Sequence, residues 1–234
     1  MTGKSAVVIG ASGGIGAAVA DLLETGGEYE AVVRLSRSGD SPVPLDVTSE
    51  GSIDAAAKWL RDHHIAPSLV FVATGLLHDE RNGPEKSLRQ LDTAWLIKNY
   101  QVNAIGPTLI AKYLLPLMLR DGTIKFAALS ARVGSISDNR LGGWYGYRSS
   151  KAALNMMIRN LSIEWSRKNQ RSIIVALHPG TVDTDLSAPF QDNVPPQKLF
   201  GCGRAARQLL AVLDGLEPAD SGKIFAWDGT EIKP

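Results

Sequence analysis

A chain of 234 residues, 44% of them hydrophobic, is long enough to bury one sizeable core and would be cramped as two domains. Its 25 basic and 24 acidic side chains leave a formal charge of +1 and are spread without runs, so the sequence has no electrostatic footprint for nucleic acid or an anionic membrane. The expected partner is a small molecule.

The first predicted element is a strand over 6–9, which meets Gly10 too early to be a signal-peptide core or a membrane span. Cys202, the single cysteine, has no partner for an internal disulfide, which fits a reducing compartment and a cytoplasmic protein. The strand runs into Gly10-Ala11-Ser12-Gly13-Gly14-Ile15-Gly16 and a helix over 14–25. Strand, glycine-rich turn and helix in that order bring unpaired helix N–H groups to a corner free of side chains, where a pyrophosphate can approach the backbone. The competing reading is an ordinary tight turn. The spacing is not the plain G-x-G-x-x-G pattern, and no Gly-Lys-Ser/Thr ending follows, so ATP is disfavoured.

A strand over 31–35 ends in Arg34-Leu35-Ser36-Arg37-Ser38, where an adenosine ribose would fall if the first turn held the pyrophosphate. No acidic side chain stands there to accept from a 2′-hydroxyl, whereas Ser36 and Arg37 suit a 2′-phosphate. NADP(H) is therefore preferred, with NAD(H) as the alternative. The competing reading of Arg37 is a solvated strand-end charge.

Further strands are predicted over 69–73, 123–129, 172–177 and 223–226, and further helices over 52–63, 93–120, 147–168 and 204–213. Short, continuous apolar strands separated by helices make an α/β chain with a parallel sheet covered on both faces, a single-domain Rossmann-type doubly wound fold. The irregular stretch 178–203 is rich in Pro, Asp and Ser, and so long a loop in a compact domain is more often functional than idle. His63 and His64 suit the end of a helix, and His78 and His178 lack metal-ligand spacing, so no metal site is expected. The Trp and Met residues read as core or pocket walls.

Near the start of the predicted helix 147–168, Tyr147 and Lys151 are four apart and share one face. A free tyrosine titrates at about pH 10, and an adjacent ammonium favours the phenolate. Such pairs arise by chance on many helices, so this one takes its weight from the rest of the chain.

The Gly10–Gly16 turn, Tyr147-Arg148-Ser149-Ser150-Lys151 and His178-Pro179-Gly180 together resemble the short-chain dehydrogenase/reductase family, in order and sheet position, across nearly the whole chain. Within it, Leu129-Ser130-Ala131-Arg132-Val133-Gly134-Ser135 and Phe225-Ala226-Trp227-Asp228-Gly229 look most like the branch of C-factor signalling proteins and sniffer-type carbonyl reductases. The resemblance implies that Tyr147 protonates a carbonyl oxygen, that Lys151 lowers its pKa and donates to the nicotinamide ribose, and that Asn103 holds a water in a proton relay. A helix-interior polar residue bonding backbone is the alternative for Asn103. Cofactor contacts are implied for Gly10, Ser12, Gly14, Ile15 and Gly16, for Asp46 and Val47, and for Ala73, Thr74 and Gly75. They extend to Tyr147 and Lys151, and to Pro179, Gly180, Thr181, Val182 and Thr184.

The chain departs from the family pattern in three places. Ile9 stands where threonine usually precedes the first glycine, and Val72-Ala73-Thr74-Gly75 replaces Asn-Asn-Ala-Gly. Ser130 is followed by Ala131 where the family often has two serines, the second orienting the substrate; Ser130 takes that assignment, with Ser135 as the alternative. The long helices 93–120 and 147–168 resemble those that pair in family dimers, which implies a homodimer or homotetramer. The expected chemistry is hydride transfer between the nicotinamide and a carbonyl or alcohol carbon, with the 178–203 loop closing over the substrate. The rival is a dinucleotide-binding regulatory or signalling protein with little turnover.

Overall fold

Continuous burial dictates where the strands lie: every residue of Ser5–Ile9 (β1) and Leu69–Val72 (β3) is buried, as expected for strands covered on both faces. With Ala31–Leu35 (β2), Ile124–Leu129 (β4), Ser172–His178 (β5) and Ile224–Ala226 they form a six-stranded, wholly parallel sheet. The structure is a computed structural model, and it describes residues 3–192 and 194–234. Two short strands, Thr181–Val182 (β6) and Leu199–Phe200 (β7), pair separately, which makes Ile224–Ala226 β8 and gives the main sheet the order β2-β1-β3-β4-β5-β8.

The helices are Gly14–Thr25 (α1), Glu50–Asp62 (α2), Thr93–Tyr100 (α3), Gly106–Leu114 (α4), Tyr145–Ser166 (α5) and Cys202–Gly215 (α6). Alternate residues of each strand feed opposite cores. Val7 and Ile9 pack with Ile53, Ile110 and Leu154 beneath α2, α4 and α5, while Ala6 and Val8 pack with Val19, Leu209 and Leu213 beneath α1 and α6. This is the expected doubly wound, single-domain sheet. The strand order reverses direction between β1 and β3, and the crevice that opens at their carboxyl ends is where such sheets bind ligands.

Two helical expectations change. The predicted helix 93–120 is interrupted by a π-helical turn, Gln101–Ile105, between α3 and α4, and closes with a 3₁₀ turn at Leu115–Leu117. At the far side of the interruption Gly106 approaches the backbone of Val47, and a Cβ on it would stand 2.8 Å from the Val47 carbonyl oxygen. Helix α5 begins two residues earlier than expected, at Tyr145. The turn before it places Gly142, Gly143 and Trp144 in the left-handed region, Trp144 at φ 52°. No helix among the described residues is long and apolar enough to cross a membrane.

Candidate active site

The Gly10–Gly16 turn lies where β1 feeds α1. Gly10 takes φ +82°, the Gly13 amide donates to the Gly10 carbonyl at 3.1 Å, and Ser12, Gly13 and Gly14 are exposed. Among the described residues no side chain caps α1, and its first turn carries no acidic residue, so its N-terminal amides and the positive end of its dipole stay open to an anion. Thr74, beside the turn at the end of β3, has an enclosed hydroxyl with no partner among the described residues. An exposed backbone cradle beside an unpaired hydroxyl fits a dinucleotide phosphate.

At the end of β2 the two arginines part company. Arg34 pairs with Asp21 and Glu24 of α1, both at 2.6 Å, and is spent on the fold. Arg37 is exposed and makes no ion pair among the described residues. The Ser36 hydroxyl donates to the Ser38 carbonyl, so it is not free as the sequence reading required. Asp46 accepts from the amide and hydroxyl of Thr48 at 2.8 and 2.7 Å, which holds its carboxyl below the usual range. Val47, next to it, is buried against Gly106.

A cavity of about 220 Å³ opens at the carboxyl ends of the strands. It brings together Ile15 from the turn, Ser130 after β4, Tyr147 on α5, and Pro179, Gly180, Thr181, Val182 and Thr184 after β5. Residues 147, 151 and 155 fall on one face of α5, four apart. Lys151, 2% exposed, donates to the Leu129 carbonyl at 2.8 Å, and its Nζ lies 5.8 Å from the centre of the Tyr147 ring. Asn103 Oδ1 and Lys151 Nζ stand 3.8 and 3.9 Å from the position a Cβ on Gly75 would take, so Gly75, Asn103 and Lys151 converge.

The electrostatics differ from expectation. Burial pushes the Tyr147 hydroxyl up to about 12 and the Lys151 ammonium down to about 7. In the protein alone Lys151 therefore does not depress the tyrosine pKa; desolvation wins for both groups.

The Asn103 side chain is likewise committed. Its amide donates to the Leu76 carbonyl at 2.8 Å and to Ser150 Oγ at 3.1 Å, and its oxygen accepts from the Leu76 amide at 2.8 Å. The alternative reading, a buried polar residue satisfied by backbone, describes the side chain. Ser130 lines the cavity, but its hydroxyl donates to Asn155 Oδ1 at 2.7 Å. Ser135 lies away from it and donates to the Lys233 carbonyl at 2.6 Å.

Several residues at or near the site were not singled out by the sequence, although Trp144 fits the general reading of tryptophans as core or pocket walls. Trp144 and Phe190 wall the cavity with ring centres 5.3 Å apart, and His78 meets Phe190 edge-on at 5.8 Å. Glu85, 3% exposed, accepts from the Gly146 amide at 3.0 Å and caps α5 from a distant loop. The Gly142-Gly143 pair before Trp144 was the one local hint of an unusual backbone there.

A family model described as enoyl-(acyl carrier protein) reductase, one of the short-chain dehydrogenase/reductases, matches residues 10–201. The chain belongs to the short-chain dehydrogenase/reductase family. It is an NAD(P)-dependent oxidoreductase of that family. It is 31% identical to the 1-hydroxy-2-glutathionyl-2-methyl-3-butene dehydrogenase of Rhodococcus sp. (strain AD45), over 98% of this chain and 99% of that one. The C-signal protein of Myxococcus xanthus is 35% identical over 62% of this chain and 82% of its own length. Among solved structures, the NADPH-bound carbonyl reductase from chicken fatty liver superposes over 100% of both chains with a TM-score of 0.85 at 26% identity. The carbonyl reductase Sniffer of D. melanogaster reaches the same TM-score at 21% identity, covering 99% of this chain and 100% of its own, which supports the fold.

Proposed function

We propose that this short-chain dehydrogenase/reductase interconverts a small apolar or aromatic carbonyl compound and its alcohol, using NADP(H). The observation that carries the reading is the placement of Tyr147 and Lys151 on one face of α5, at the carboxyl ends of the strands and beside an open glycine turn. The NADPH bound by the chicken carbonyl reductase supports the cofactor.

The α1 amides and Thr74 would hold the phosphates, Arg37 the 2′-phosphate, Asp46 and Val47 the adenine, and Lys151 the ribose. When bound, the nicotinamide supplies or receives the hydride. Tyr147, kept protonated by burial, gives its proton to the carbonyl oxygen in reduction. Trp144, Phe190, Leu77 and Leu186 offer an apolar wall to the rest of the substrate, and the part that Leu186 and Phe190 take in it supports a covering role for the 178–203 segment.

Oxidation of NADPH with a panel of aldehydes, ketones and quinones tests the reading, and absence of turnover with all three classes overturns it. The similarity to C-signal favours a second reading, a dinucleotide-binding signalling protein, which predicts tight cofactor binding without turnover. The exposed Ile97, Tyr100 and Ile105 on the α3–α4 run and Met156, Met157 and Ile163 on α5 point to pairing of two copies through these helices. Light scattering reads that directly. Cys202 is a free thiol, consistent with a cytoplasmic site of action.

Two substitutions probe the cofactor. A Cβ on Gly16 would stand 2.2 Å from the Gly10 carbonyl oxygen, so even one methyl must spread the turn. Gly16→Ala is expected to weaken NADPH binding about tenfold or more while far-UV circular dichroism stays native. Tight binding by the folded variant would put the phosphates elsewhere.

A charge-assisted bond from Arg37 to the 2′-phosphate contributes about 1.5–3 kcal/mol, enough for roughly a tenfold preference for NADPH over NADH. Arg37→Asp is expected to reverse it, because the carboxylate repels the phosphate and accepts from a free ribose hydroxyl. Four kcat/KM values at one salt concentration make the comparison. A wild type that prefers NADH would leave Arg37 a solvated strand-end charge.

A further inference from the structure

We propose that the imidazole of His178 is a second hydrogen-bond donor to the substrate oxygen, beside Tyr147, an assignment that rests on the carbonyl reading above. Leu177 pairs with Leu129 across β5 and β4, and the Leu177 carbonyl accepts from the Ser130 amide at 2.7 Å. His178 and Ser130 are thus neighbours at two adjacent strand ends. Ile174 and Ala176 belong to the core beneath α5, and His178, two residues on, keeps that face. His178 joins Tyr147 and Ala131 in the cavity wall.

Four of the polar side chains around it are committed. The Ser130 hydroxyl is spent on Asn155, Lys151 on the Leu129 carbonyl, and the hydroxyls of Thr184 and Ser187 on the Val182 carbonyl. Ala131 offers nothing. His178 Nδ1 is enclosed with no partner among the described residues, whereas the other ring nitrogen is not enclosed in this way. An enclosed N–H left unpaired is a rarer and costlier defect than an enclosed lone pair, so the ring proton belongs on Nε2.

Burial, helped by the Arg132 charge and opposed by Asp228, pushes the imidazolium down to about 4, so the ring is neutral and carries one N–H at neutral pH. A neutral imidazole can polarise a carbonyl by donating a hydrogen bond without giving up its proton. The balance of the reaction is unchanged. Tyr147 would give its proton to the substrate oxygen as the cofactor, when bound, supplied the hydride, and His178 would end as it began.

The test compares wild type, His178→Phe and His178→Asn for kcat/KM with a carbonyl the wild type reduces, and for NADPH affinity by calorimetry. Loss of one donor to a developing oxyanion is expected to lower kcat/KM of the Phe variant about 10²–10³-fold, with the cofactor Kd unchanged. The Asn variant keeps a donor amide and should recover most of the loss. Should the Phe variant not fold, His178→Ala in buffer with and without added imidazole replaces it, and rescue by imidazole is the expected result. Wild-type kcat/KM in the Phe variant, an Asn variant no better than Phe, or an Ala variant indifferent to imidazole would each overturn the assignment. A wild type that reduces no carbonyl overturns the enzymatic reading and this inference together, whereas an active wild type with an indifferent Phe variant removes His178 alone.

Discussion

Tyr147→Phe is expected to lower kcat for carbonyl reduction by about 10²–10⁴-fold, the contribution of a positioned general acid, while the NADPH dissociation constant stays within error of wild type. The substitution deletes one hydroxyl and little else. The ring is held by α5 and by its edge-on contact with Trp144, 6.3 Å between centres, and phenylalanine preserves both. Because burial holds the hydroxyl pKa at about 12, the acid form is present throughout the neutral range and Tyr147 itself imposes no pH dependence on reduction there. Alcohol oxidation needs the phenolate and should speed up as pH rises. Wild-type turnover in the variant would remove Tyr147 from the chemistry, and an oxidation rate that falls with rising pH would remove it as the base.

Lys151→Met should abolish turnover and weaken cofactor binding while raising the melting temperature at pH 7. Lys151 is 2% exposed and bonds the Leu129 carbonyl, and its pKa in the folded chain, about 7, lies below the 10.5 of the free side chain. Between those values the unfolded chain binds the extra proton, so this group's contribution to stability rises with pH across the window and is most unfavourable below it. Methionine fills similar space without a charge to desolvate. The variant's advantage should be largest at pH 6, a few degrees for a chain of this size, and vanish by pH 10.5. Scanning calorimetry at both pH values reads the difference. A variant less stable at every pH would mean that the ammonium is well satisfied where it lies, and an unchanged NADPH affinity would take Lys151 off the ribose.

The central sheet and its glycine turn were legible because their causes are local. A strand buried on both faces must be a short continuous apolar run, as in Ala6-Val7-Val8-Ile9, and a backbone corner open to phosphate must be made of residues like Gly10 and Gly16. The spacing of Tyr147 and Lys151 was equally visible, since a helix puts residues four apart on one face.

Other features come from contacts across many residues, which spacing does not carry. The π-turn at Gln101–Ile105 sits where α4 is drawn onto Val47 through Gly106, and α5 starts at Tyr145, where Glu85 from a far loop accepts the Gly146 amide. Arg34 and Arg37 read alike in sequence, and the carboxylates of α1 separate them by occupying the first. Ser130 and Ser135 were rivals until Asn155 and the Lys233 carbonyl claimed their hydroxyls. The sign of the Tyr147 pKa shift was misjudged from spacing alone, because spacing reports which charges are near and not how much water has been removed. Local backbone geometry thus determined the sheet, the turn and the shared helix face; burial and long-range hydrogen bonding, which exist only once the chain has packed, decided which side chains there remain free to act.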